Sequence, residues 1–468
     1  MKGIRGFFRL IILALIIAGI IYIIPQVEWY KPSIRIKLDS DYVGTNPFDI
    51  EVKDRGKGLK RVRVSLVDAH GESELISKDY PVPVKEDILH IKLDPLKLGI
   101  KDGPAEIRVQ AEDRSRIKLF SGNKVTVVQK VVVDITPPRV EVLSREHYVN
   151  LGGSGLVVYK TSSDTVRSGV KVGEYFFPGY GGYFKDPEVH MAFFAYPYNV
   201  EPSEVPVIVA EDAAGNLRTT SFFFRLKKVV YRKSTINVSD DFIKSKVASL
   251  LTADSVKNMD LKELFLKVNR ELRQKNEARI REIGRSSVVK EILWHGKFHQ
   301  LSNSMVQANF ADERTYVYGG EVIDHQYHLG YDLAVTRKYP VEAANDGVVV
   351  FAGDLGIYGN TVIIDHGFGL STLYGHMSSI DVNLGDRVKK KQIIGKTGET
   401  GLAVGDHLHF GVYIYGVPVL PVEWWDEQWI NNNIIKKIKE AEAEFGVNER
   451  VDNKEGIFLE GEESRKQS

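Results

Sequence analysis

His407-Leu408-His409-Phe410-Gly411-Val412-Tyr413-Ile414-Tyr415 reads as a β-strand, and it places two histidines at i and i+2. Side chains two apart on a strand leave it on one side, so both imidazoles look into one space. Upstream lie His328-Leu329-Gly330-Tyr331-Asp332 and Tyr374-Gly375-His376. His328 and Asp332 are also an even number of residues apart, which returns them to one side of an extended segment. Gly330 between them is read as a bend that brings both to one ion. Histidine is the commonest protein ligand for zinc, and a catalytic zinc site takes three protein ligands and keeps a fourth position for water. Two imidazoles and a carboxylate suit such a borderline metal, and two further imidazoles would be left to handle protons.

Outward from these motifs the chain shows short strands broken by glycine: Gly347-Val348-Val349-Val350-Phe351-Ala352-Gly353, Thr361 to His366, Leu370 to His376 and Gln392 to Gly398. None has a helical period, so an antiparallel β-core with the metal in an open groove is expected. Gly353, Gly356 and Gly359 are either turns or the bends of a loop beside a peptide.

The ordered set His-Leu-Gly-Tyr-Asp-Leu-Ala at 328–334, Ala344-Asn345-Asp346-Gly347, Tyr358 to Gly367 and Gly405-Asp406-His407-Leu408-His409-Phe410 resembles the lysostaphin-like, LytM-type zinc endopeptidases of bacterial cell walls. Their signature is H-x-x-x-D followed far downstream by H-x-H, and the likeness covers residues 301–425. It implies one Zn2+ per chain on His328, Asp332 and His409, catalytic roles for His376 and His407, and the peptide part of peptidoglycan as substrate. Some members use a tyrosine upstream of the first ligand; Tyr316, Tyr318 and Tyr327 are near, none at an alignable spacing. The stretch Val417 to Trp425 resembles the family's last strand. The alternative function is a catalytically silent regulator or wall-binding module acting on a partner hydrolase, a state recognised by lost ligands; all five positions are filled here. A lipoyl- or biotin-type carrier, suggested by Gly385 to Gly395, lacks the Met-Lys-Met context of a biotinyl lysine.

The chain of 468 residues is long enough for several domains. A formal charge of +1 gives no reason to expect nucleic acid, and the absence of cysteine removes disulfides, thiolate nucleophiles and cysteine zinc knuckles. Lys2, Arg5 and Arg9 precede the apolar run Leu10 to Ile24, which approaches the ~20 residues that cross a bilayer. No Ala-x-Ala follows, so residues 1–30 are expected to be a retained single-pass anchor rather than a cleaved signal peptide. The rest would then lie in the periplasm or wall space of a bacterial inner or plasma membrane.

Residues 31–136 and 137–228 alternate short period-two runs with turn residues, and Ala111-Glu112-Asp113 recurs as Ala210-Glu211-Asp212. Two immunoglobulin-like β-sandwiches are expected, acting as stalk, spacer or docking modules for unknown protein partners. Residues 229–300 are read as a helical connector, with Asp260 as N-cap, Glu263 three residues on, and Leu261, Leu264, Phe265, Val268 and Leu272 on one face, ending at Gly284. This arm is either a rigid spacer or a shield over the groove. An amphipathic helix, 426–446, and a charged tail, 447–468, close the chain. The fold class is thus multidomain and mainly β. His325 is a rival ligand to His328, and His366 a local hydrogen-bonding or supporting residue. His70, His90, His147, His190, His295 and His299 lack partners at metal spacing.

Overall fold

The strand Leu408–Ile414 is buried at every residue, His409 included, as its mainly apolar run requires, and it lies inside the sheet that carries the histidine motifs. In the computed structural model, which describes residues 11–18, 30–115, 122–252, 256, 259–287 and 289–448, this sheet has eight strands. We number them β1 (Met305–Ala308), β2 (Tyr331–Ala334), β3 (Gly347–Asp354), β4 (Asn360–Gly367), β5 (Leu370–Met377), β6 (Arg387–Val388), β7 (Leu408–Ile414) and β8 (Val417–Val419). Their order is β1-β2-β7-β5-β4-β3-β6, with β8 on β7, and every pairing is antiparallel, as expected. The register sets Asp332 opposite His409 and His409 opposite Gly375, so one row across β2, β7 and β5 gathers all the histidine motifs at one edge. Tyr415 and Gly416, both at positive φ, close the two-residue turn between β7 and β8. The segment Val417 to Trp425 is strand only to Val419; Pro421 starts a short helix, Pro421–Trp425, because proline presets the first helical φ.

The connector is helical only in part. It opens with the strand Lys233–Asn237, which pairs in parallel with Glu313–Tyr318 beside the peptidase sheet. The long helix then starts in a capping box, Asp260 accepting from Glu263 N and Glu263 answering to Asp260 N. It passes through a π-helical turn, Lys267–Leu272, and ends at Arg285. Leu264, Phe265 and Val268 are buried against Tyr358, Leu373 and Tyr413, as the apolar stripe demands. Gly284 is not the stop. It lies inside the helix, where a Cβ would meet Gly416 N at 2.2 Å, so glycine there permits backbone to pack on backbone.

Chain compactness separates two units, residues 1–138 with 164–166 and 211–218, and the remainder. The first holds a three-stranded and a five-stranded sheet around Ile50, Val62, Val64, Ile107 and Val109. The second joins what the sequence reading separates. The strands from Val140 onward, the peptidase sheet and the C-terminal helix share one apolar core, in which Trp424 packs edge-on against Trp294 and Phe298. Helix Lys436–Phe445 lies on strand Ser154–Thr161, and Lys437 Nζ donates to Leu156 O at 3.0 Å. The repeated Ala-Glu-Asp ends a strand both times. Asp113 and Asp212 are buried, each accepting two backbone N–H groups and the amide of a following asparagine, Asn123 or Asn216.

Residues 11–18 are helical, and no helix among the described residues is long and apolar enough to cross a membrane. Most of the expected anchor and residues 449–468 of the expected tail lie outside the described residues.

Candidate metal centre

His328 Nε2, Asp332 Oδ1 and His409 Nδ1 form a triangle with edges of 2.9, 3.0 and 3.0 Å. Tetrahedral zinc with ligand bonds of about 2.0–2.1 Å needs donor separations only slightly larger, so the set fits the ion by distance and by donor type. His328 and Asp332 are held from behind, whereas the buried His409 Nε2 has no hydrogen-bond partner among the described residues. His328 Nδ1–H donates to Asn309 O at 2.9 Å, which fixes the tautomer and leaves Nε2 for ligation. Arg314 Nη2 donates to Asp332 Oδ2 at 3.2 Å, leaving Oδ1 for the ion. His409 presses on Gly330, where a Cβ would lie 2.6 Å from His409 Nε2. Gly330 has no left-handed φ. It is needed for this close approach and not for the bend expected from the sequence.

Burial alone would raise the Asp332 carboxyl, but the imidazoles of His328, His407 and His409 outweigh it and hold the group well below the usual carboxylate range. Burial, then the neighbouring His407 and His409, pushes His376 down to about 3, so its ring is neutral. Its Nδ1–H donates to Thr400 O at 2.8 Å, and its backbone sits at φ 62°, a strained conformation for a residue with a side chain. His407 Nδ1–H donates to Gly405 O at 2.7 Å, and its Nε2 lies 3.5 Å from Asp332 Oδ1. Burial lowers His407, yet the Asp332 carboxylate raises it overall. That pull weakens once Asp332 serves a cation. The His376 and His407 ring centroids are 4.8 Å apart.

These five residues line a groove of about 590 Å³. Of the three tyrosines left open, Tyr316 reaches it; Tyr318 hydrogen-bonds Asp240, and Tyr327 packs on Tyr198. His325 is exposed and bonded to Thr315, the alternation of its strand having turned it away. His366 is buried, its Nδ1–H on Asp346 O and its Nε2 at Thr372 Oγ1, as a local structural residue. Gly356 and Gly359 both take positive φ and form the turn that carries Tyr358, whose ring centroid is 5.3 Å from that of His409. Sequence reasoning passed over Asn309, Arg314, Tyr358 and Thr400. Asn309 and Thr400 act through carbonyl oxygens, which every residue has, and Arg314 follows no spacing rule.

The profile of peptidase family M23 matches residues 326–421. The chain is 44% identical over 95 residues to the DD-carboxypeptidase/endopeptidase Mpg of Neisseria meningitidis, covering 20% of this chain and 22% of that one. It is 37% identical over 114 residues to the peptidoglycan DD-endopeptidase ShyA of Vibrio cholerae, covering 24% and 26%. The match thus spans about a quarter or less of those relatives' own length. Among solved structures, the catalytic domain of lysostaphin from Staphylococcus simulans is 29% identical, with 26% of this chain and 92% of that one covered and a TM-score of 0.22. By its matched profile and its relatives, the chain carries a peptidase family M23 domain of the LytM/lysostaphin-like kind.

Proposed function

We propose that the chain is a membrane-anchored, exported zinc endopeptidase that hydrolyses peptide cross-links of bacterial peptidoglycan. The observation that carries this reading is the convergence of His328, Asp332 and His409 on one point of a groove, with His376 and His407 beside it. Relatives named as DD-endopeptidases support a wall peptide as substrate. Residues 1–30 would hold the chain to the membrane, with the β-domains and the peptidase in the periplasm or wall space.

A zinc ion bound by His328, Asp332 and His409 would polarise a peptide carbonyl and lower the pKa of water. His407, its Nδ1–H fixed on Gly405, presents Nε2 as a proton acceptor, and neutral His376 presents its own Nε2 from the Thr400 side. The pair takes a proton from water during attack on the carbonyl carbon and returns it to the leaving amine. Arg314 and Asn309 keep Asp332 and His328 in place during the cycle. The test is the full chain with measured zinc content, incubated with defined muropeptides and followed by mass spectrometry. Fragments cut at the cross-link are expected; a zinc-loaded chain that leaves every muropeptide intact refutes the reading.

A further inference from the structure

The groove has walls that the M23 domain does not supply. Ile236 and Asn237 of strand Lys233–Asn237, and Phe265 and Arg273 of the long helix, line it together with the histidines, and all four lie outside residues 326–421. Arg273 follows the π-helical turn directly, and such turns recur at functional sites because the extra residue re-aims the side chains after it. Its guanidinium is held by a buried relay. Arg273 Nε–H donates to Asn269 O at 3.1 Å and Nη2–H to Asn269 Oδ1 at 2.7 Å. Asn269 is fully buried, and its amide donates to Asp324 Oδ2 at 2.8 Å.

This relay uses two of the five N–H donors of the guanidinium and none of its charge. Arg273 forms no ion pair among the described residues; the half-buried Glu277 carboxylate, one helical turn on, feels its charge. Arg232, exposed at the groove's edge, likewise has no carboxylate partner among the described residues. Of the groove's own carboxylates, Asp332 belongs to the metal triangle, while Asp312 and Asp406 accept from Asn309 N and Lys338 N through Oδ2, each keeping a buried Oδ1 without a hydrogen-bond partner among the described residues. A fixed guanidinium with open donors, lining the same groove as the candidate metal site, matches a carboxylate in its planar fork geometry.

We infer that Arg273, assisted by Arg232, is a carboxylate-binding subsite of the groove, so the preferred substrate is a peptide with a free carboxylate close to the cut bond. A strand of glycines carries no such group in its interior. The inference rests on the peptidase reading and names the substrate class within it. The two are separated by assaying the zinc-loaded full chain on two cross-linked peptides that differ only in a free carboxylate or a carboxamide beside the bond. The native chain should prefer the carboxylate by about 10- to 100-fold in kcat/KM, expressed in KM. Arg273→Gln should collapse that ratio and Arg273→Lys restore part of it. Arg232→Gln, at an exposed position that disturbs no packing, should reduce the ratio in the same direction. An unchanged ratio in both variants, or equal loss on both peptides, overturns the subsite. If neither peptide is cut, the peptidase reading fails on its own, and calorimetric binding of the same two peptides decides the subsite. A carboxylate preference lost in Arg273→Gln supports it, and equal binding by the native chain overturns it.

Discussion

Replacing Gly330 by alanine tests the metal centre without touching a ligand. The added Cβ would lie 2.6 Å from His409 Nε2, 2.7 Å from its Cε1 and 2.7 Å from Phe410 O. Carbon contacts settle near 3.5 Å, so the His409 ring must withdraw by about 0.9 Å. Metal–ligand distances tolerate only about 0.2 Å. Without metal the ring can yield; with metal it cannot, so the strain falls on the bound state. Overpacking of this kind costs about 1–3 kcal/mol, which predicts zinc binding about 5- to 150-fold weaker. Competition with a chromophoric chelator reads this without any assay of turnover. Gly405→Ala is the control, since a Cβ there meets nothing within 4 Å. Zinc affinity within twofold of the native value in Gly330→Ala would refute both the assignment of His409 as a ligand and the reason given for the glycine.

His407→Ala should keep its zinc while turnover falls by about 10²- to 10⁴-fold, the usual worth of a general base; retained turnover on muropeptides would show the proton passing elsewhere. Glu423 is fully buried, accepting from Asn150 and from Ser154, and burial pushes its carboxyl up to about 7. A raised folded-state value stabilises the fold below the ordinary value near 4.5, and this contribution is lost as pH rises through about 7. Relative to Glu423→Gln, the native chain should therefore lose about 3 kcal/mol between pH 4.5 and 8.5, read as a steady change in the gap between the two Tm-against-pH curves; parallel curves would contradict it. Gly284→Ala gains about 1 kcal/mol of helix propensity but drives a Cβ into Gly416 N at 2.2 Å, so a net loss of stability is expected in thermal melts.

The apolar and alternating runs were enough to foresee an antiparallel core. β5 and β7 are buried on both faces, and a strand so placed is mainly apolar, its few polar side chains, such as Thr372 and His409, being held by partners inside. The capping box at Asp260 and Glu263 was legible because it is a local pattern closed within four residues. Local pattern also misled. Gly284 and Gly330 looked like a stop and a bend, whereas each is glycine because a residue remote in sequence, Gly416 or His409, comes too close for a Cβ. The connector's strand was missed because its partner, Glu313–Tyr318, is distant in the chain.

By itself the sequence offered candidate donors, histidines and an aspartate at even spacings, and the resemblance to LytM-type peptidases chose among them. Tertiary structure decided the rest. Strand register brought Asp332 and His409 level, the Asn309 carbonyl chose the ligating nitrogen of His328, and a helix outside the M23 domain supplied the far wall of the groove. These depend on which backbone groups and remote residues meet, and no composition or spacing in one dimension encodes that meeting.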